Sequence, residues 1–105
     1  MSQTTAEILR AAAHRVRQGW CQGGYSDGQR LCAIGAVDYA AQGDDDVLCD
    51  ALERLRTILG HVSIVQWNDS KGRTAEQVAQ AMEHAAESLS PPPVVTWTPR
   101  EAVKV

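Results

Sequence analysis

Residues 31–42 read LCAIGAVDYAAQ, and the way they fold decides the class of the whole chain. As a strand over 31–37 they would call for a buried sheet. As a helix over 31–41 they make the chain all-α. Ala33, Gly35 and Ala36 disfavour a strand. The helix they predict is apolar on nearly every side at its start, the mark of a central, buried helix. Gly35 costs such a helix about 1 kcal/mol relative to Ala. Close approach of a neighbouring helix is the expected compensation.

Working outward, residues 19–30 read GWCQGGYSDGQR. Gly19, Gly23, Gly24 and Gly28 exclude a stable helix there, so this is a loop. Trp20 and Tyr25 are expected to pin it to the core. Before it, residues 5–18 carry Ile8, Leu9, Ala12, Ala13 and Val16 at helical spacing. Thr4 and Glu7 make a capping box at that helix's start. Arg15 and Arg17 suit the negative end of its dipole.

Downstream, Gly43 stops the 31–41 helix and Asp44-Asp45-Asp46 starts another. Val47, Leu48, Ala51, Leu52, Leu55, Ile58 and Leu59 form its stripe, and Gly60 fits the position just past its end. Ser63 caps one short turn carrying Ile64 and Trp67. Thr74 and Gln77 form a second capping box and open a helix over 75–89, with Val78, Ala81, Met82, Ala85 and Leu89 inward. Pro91-Pro92-Pro93 ends it. The expectation is an all-α compact bundle of four main helices with a short extra helical turn. Residues 1–90 make the single domain, and 91–105 an extended Pro-rich C-terminal tail.

The expected core is Ile8, Leu9, Ala12, Val16, Ile34, Val37, Leu48, Leu52, Leu55, Ile58, Val78, Met82 and Ala85. No Phe is present, but Trp20, Trp67 and Trp97 are, each in or beside a Gly-, Asn- or Pro-rich segment. The 105 residues fit one domain and are too few for a barrel enzyme or a full dinucleotide-binding domain.

The net charge is −3, unevenly spread. Residues 1–37 hold four bases and two acids, while 38–60 hold two bases and six acids. Weak acidity argues against a general nucleic-acid binder. The most apolar helix sits where a recognition helix would, which argues the same way. No apolar run approaches a membrane span, so no membrane partner is expected. Cys21, Cys32 and Cys49 are an odd set without a disulfide spacing, and no signal segment precedes them. The expectation is a reduced, cytoplasmic protein.

Three constellations could carry chemistry. The Gly-rich loop lacks the phosphate-loop pattern and the dinucleotide triplet. It reads as a tight connection, or as a nest of backbone amides with Arg30 nearby that would take an anion. Neither the cysteines nor His14, His61 and His84 show a metal-ligand spacing, so no metal and no cofactor are expected. Cys21 with His61 or His84 and Asn68 or Asp69 would assemble a nucleophilic set only by chance folding, and no catalytic residue is assigned. Cys21 is the candidate reactive thiol; Cys32 and Cys49 read as small core residues. In WNDSKGRT (67–74), Asn68 and Asp69 shape a turn, Thr74 caps a helix, and Arg73 pairs with Asp69 or with an acid of the preceding long helix. The alternative is a binding surface.

Together, Gly19-Trp20-Cys21-Gln22-Gly23, Leu31-Cys32-Ala33-Ile34-Gly35-Ala36, Trp67-Asn68-Asp69 and Gly72-Arg73-Thr74 resemble a family of short proteins from actinobacteria and their bacteriophages. The resemblance covers residues 5–88. It implies no established activity, cofactor or catalytic residue. It does imply an accessory protein that binds a host protein. The leading expectation is therefore a non-enzymatic protein-binding module with a host protein, or a second copy, as partner. Candidate binding residues are Trp20, Arg30, Trp67, Asn68, Asp69, Arg73, Val94, Val95 and Trp97. Val94, Val95 and Trp97 would add an edge strand to a partner or join copies into a homo-oligomer. The alternative is a small-ligand-binding or enzymatic domain using the 20–30 and 67–74 loops, which predicts one pocket joining them.

Overall fold

Thr4 and Glu7 exchange side-chain and backbone hydrogen bonds at 2.8 and 3.1 Å, and this capping box opens helix α1, Thr5–Gln18. The structure, a computed structural model, describes residues 4–89, so the expectations for the tail, including Val94, Val95 and Trp97, lie outside the described residues. Ile8, Leu9, Ala12, Ala13 and Val16 are buried along one face of α1. A second box, Thr74 with Gln77 at 3.1 and 3.2 Å, opens helix α5, Ala75–Leu89. Val78, Ala79, Met82, Ala85 and Ala86 are its sealed face.

α1 and α5 share the most extensive helix–helix contact in the fold. Small residues on both faces let the two backbones approach closely, and burying each larger side chain contributes about 1.5–3 kcal/mol. At the rim, Arg17 of α1 donates to both Glu76 (2.7 Å) and Glu83 (2.6 Å) of α5. The end of α1 therefore lies beside the first turns of α5.

Helix α2, Ala33–Ala41, is shorter than the 31–41 expected. Cys32 is its N-cap, with its sulfur accepting from the Gly35 amide at 3.5 Å. Leu31 belongs to a strand instead. Six of the nine α2 residues are buried, yet α1 touches more of the fold and is its central element. Helix α3, Asp45–Ile58, starts where Asp44 accepts from the Val47 amide at 3.2 Å. Its stripe lies at the edge of the core. Ala51 and Leu55 are sealed, whereas Leu48, Leu52 and Ile58 are only half-buried. Ile34 of α2 is likewise half-buried. Cys49 follows the α3 stripe by one residue and so points outward, exposed rather than in the core. Gly60 adopts φ 90° just past α3, the left-handed conformation its position predicted. The short helix α4, Ile64–Asn68, begins at Ser63, whose hydroxyl accepts from Gln66 at 3.2 Å.

The expectation of an all-helical chain needs one correction. Strands β1, Ser26–Asp27, and β2, Arg30–Leu31, form an antiparallel hairpin inside the Gly-rich loop. Gly28 at φ 65° turns it. Two paired residues per strand are too few for alternation to show in the sequence. No helix among the described residues is long and apolar enough to cross a membrane.

Candidate functional site

The site is built where the loop after α1 meets the end of α4. Leu31 donates to the Gly19 carbonyl, and its own carbonyl accepts from Cys21, each at 3.2 Å. Trp20 and Leu31 thus pair in parallel, while β1 flanks β2 on its other side. Cys32 extends that pairing by donating to the Tyr25 carbonyl at 3.0 Å. A Gly-rich segment is in this way held by backbone bonds on both sides of one short strand.

Gly35 explains itself here. A Cβ on it would lie 2.8 Å from the Tyr25 carbonyl oxygen and 3.3 Å from Leu31 Cβ. The element that approaches closely is the hairpin backbone, not a neighbouring helix as expected. Hairpin and α2 fit together only because position 35 has no side chain.

Asn68, the last residue of α4, is the knot. It is 1% exposed, the buried polar side chain among the described residues. Its Oδ1 accepts from the Trp20 indole at 2.7 Å and from the Ala33 amide at 3.0 Å. Its Nδ2 donates to the Cys21 carbonyl at 3.2 Å and to Asp69 Oδ1 at 2.9 Å. All four hydrogen-bonding capacities of one amide are used. Ala33 is the first residue of α2, whose amide has no partner within the helix. One side chain therefore ties α4 to the loop and caps α2.

Neighbours reinforce the knot. Gln22 donates to the Asn68 and Ser70 carbonyls at 2.9 and 3.0 Å. Asp69 Oδ1 also accepts from the Gly23 amide at 3.0 Å. The loop's amide nest is thus met, at Gly23, by the chain's own carboxylate. Those two bonds, the Gly23 amide first and the Asn68 amide second, hold the Asp69 carboxyl below its ordinary range.

The remaining candidates divide. Trp67 is half-buried, and Arg73 lies over its ring at 4.0 Å while donating to its carbonyl at 3.0 Å. Arg73 makes no ion pair with Asp69 or with an acid of α3 among the described residues. The planar guanidinium is taken up by ring stacking instead. Arg30 pairs with Asp27 across the hairpin and makes no bond to Asn68 or Asp69 among the described residues. Trp20, Asn68, Asp69, Trp67 and Arg73 come together; Arg30 does not join them.

Tyr25 does not pin the loop by burial, since its side chain is half exposed. Its hydroxyl bonds the Asp38 carboxylate of α2 instead. That bond, with partial burial adding to it, pushes the Tyr25 hydroxyl up to about 12. Cys21, the thiol expected to be reactive, is buried, and its sulfur contacts the Gly24 and Arg30 carbonyls at 3.7 Å. Burial is the main cause that raises its pKa, which keeps it a protonated and poor nucleophile. No described group of His, Cys, Asp and Glu side chains has a geometry that would hold a metal.

Between the two loops lies a pocket of about 180 Å³, lined by Gly23, Gly24, Tyr25, Cys32, Ile34, Val65, Asn68 and Asp69. Its walls are mostly apolar. Tyr25 and Val65 stand at its mouth, each about half exposed (51%). The sequence singled out Asn68 and Asp69 but missed Val65, Ile34 and Gln22. An apolar residue beside the inward Ile64 of a one-turn helix was the available signal for Val65.

Fold and site define a small helical domain whose glycine-rich loop is clasped to a short helix around an open apolar pocket. The chain belongs to a family of unknown function, DUF6197, whose model matches residues 1–88. No curated protein and no solved structure compared with the chain matches it.

Proposed function

We propose that this domain is a non-enzymatic protein-binding module, a cytoplasmic actinobacterial or bacteriophage accessory factor acting on a host protein, and that the pocket between its two loops makes the contact. One observation supports the reading above the others. An open, mostly apolar pocket of about 180 Å³ has Tyr25 and Val65 exposed at its mouth. Small-molecule sites usually enclose roughly 300–1,000 Å³. This pocket suits a single side chain projecting from a partner polypeptide, the anchor-in-pocket arrangement that dominates many interfaces. Asn68 in its lining spends all four of its hydrogen bonds on the chain itself, which favours holding a shape over performing a reaction. The buried, protonated Cys21 favours the same reading over an enzyme.

The test is retention from host cytoplasm on immobilised full-length protein, beside Val65→Glu and a chain lacking residues 91–105. Circular dichroism checks that each variant is folded. The pocket reading expects a specific retained protein that Val65→Glu loses and the truncated chain keeps. Loss with the truncation alone transfers the contact to Val94, Val95 and Trp97. An identical retained set for all three chains contradicts both.

A further inference from the structure

The pocket's lining carries one formal charge. Asp69 is exposed at its edge, and Gly23 and Asn68 both bind the same oxygen, Oδ1. The ion pairs among the described residues join Arg17 to Glu76 and Glu83, Arg30 to Asp27, and Arg56 to Glu53. Asp69 has no cation in that set. Lys71, two residues on, forms no ion pair among the described residues, and Arg73 is occupied by the Trp67 ring and carbonyl. The Gly23 backbone amide and the Asn68 side-chain amide hold the Asp69 carboxyl below its ordinary range, so it is ionised at neutral pH. Tyr25, also in the lining, has its hydroxyl bonded to the Asp38 carboxylate of α2. The pocket is thus mostly apolar, with one carboxylate at its edge.

We propose that the pocket receives a cationic side chain with an aliphatic stem, an Arg or Lys presented by a protein partner. This rests on the protein-binding reading above and names the chemistry of its anchor. The stem lies along Ile34 and Val65, as such stems do on apolar surfaces. The charged head reaches Asp69, whose Oδ2 has no bonded partner among the described groups, and passes the electron-rich Tyr25 face. A purely apolar anchor would leave the Asp69 carboxylate partly desolvated and unpaired, which is costly. An acidic anchor would face the Asp69 carboxylate.

Amide-resolved NMR titration with N-acetyl-arginine amide, N-acetyl-lysine amide, N-acetyl-norleucine amide and N-acetyl-glutamate amide tests this directly. The Gly23 and Val65 amides report the pocket. The arginine and lysine probes should bind about fivefold tighter than norleucine, the scale of one partly screened charge pair. Asp69→Asn keeps an Oδ1 acceptor for Gly23 while removing the charge, and should abolish that preference. If its loop is perturbed, a second measurement uses the unmodified chain: raising salt should erase the preference and leave norleucine binding unchanged. Norleucine binding as tightly as arginine overturns the cationic anchor and leaves the pocket reading standing. No shift at Gly23 or Val65 with any probe overturns both.

Discussion

The α1–α5 pair and the loop–α4 clasp hold together by opposite means. The helix pair is joined by a wide apolar face with an ion cluster at its edge. The clasp is joined by directional bonds converging on one amide, Asn68. Apolar contact is divisible, because each side chain contributes a share and neighbours relax around a loss. A saturated polar knot is not, because removing its centre strands several buried partners at once. The first region gives stability, and the second gives the pocket its shape.

The largest effects should come from cutting each region at its middle. Met82→Ala in α5 should lower stability by about 2–5 kcal/mol, with all probes of unfolding shifting together. Asn68→Ala should cost roughly 3 kcal/mol, since the Trp20 indole, the Ala33 amide and the Cys21 carbonyl lose their partner. Urea titration followed by circular dichroism and by Trp fluorescence separates the two. The Met82 variant should give coincident curves, and the Asn68 variant an early fluorescence change. Coincident curves in both would erase the contrast between the regions.

A smaller effect sharpens the helix-pair side. Glu76 and Glu83 have folded pKa values lowered chiefly by their hydrogen bonds to Arg17. Their contribution is present above the ordinary Glu value of 4.5 and is lost as pH falls through the lowered folded value. Arg17→Ala should therefore lower Tm modestly at pH 7, and the gap from the parent chain should close under acid. Because these groups are exposed, added salt should narrow it as well. A gap constant down to pH 2 would contradict the ion cluster.

The smallest effects concern single groups of the clasp. Asp38→Asn should bring the Tyr25 ionisation, read by ultraviolet absorbance, from about 12 down toward its usual value of 10. In the parent chain the Tyr25–Asp38 contribution is complete below pH 10 and is lost as pH rises toward 12. A thiol reagent should modify Cys49 quickly in the native protein, and Cys21 and Cys32 only on unfolding. Native modification of Cys21 would mean that the loop is looser than its bonds imply.

The two regions also differed in how far the sequence revealed them. Helix-pair information is periodic and local. Ile8 through Val16 and Val78 through Ala85 repeat at helical spacing, and Thr4-Glu7 and Thr74-Gln77 announce their own caps. The clasp depends on partners far apart in sequence, such as Trp20 with Asn68 and Gly23 with Asp69. No period encodes such pairs. Asn68 and Asp69 looked like turn residues because turns and knots use the same short polar side chains. Gly35 was recognised as a site of close approach, but the approaching element was a backbone carbonyl that only the fold supplies. Cys49 and Leu48 were misjudged together, because the stripe of α3 does not reveal how much of its width the core covers.

The most direct test of the central claim is hydrogen exchange in Asn68→Ala, followed at the Trp20 indole and the Ala33 amide beside the amides of α1 and α5. The account predicts lost protection at Trp20 and Ala33 while α1 and α5 stay protected in proportion to the remaining global stability. Unchanged protection at the Trp20 indole would contradict it, and so would a uniform loss across all four places.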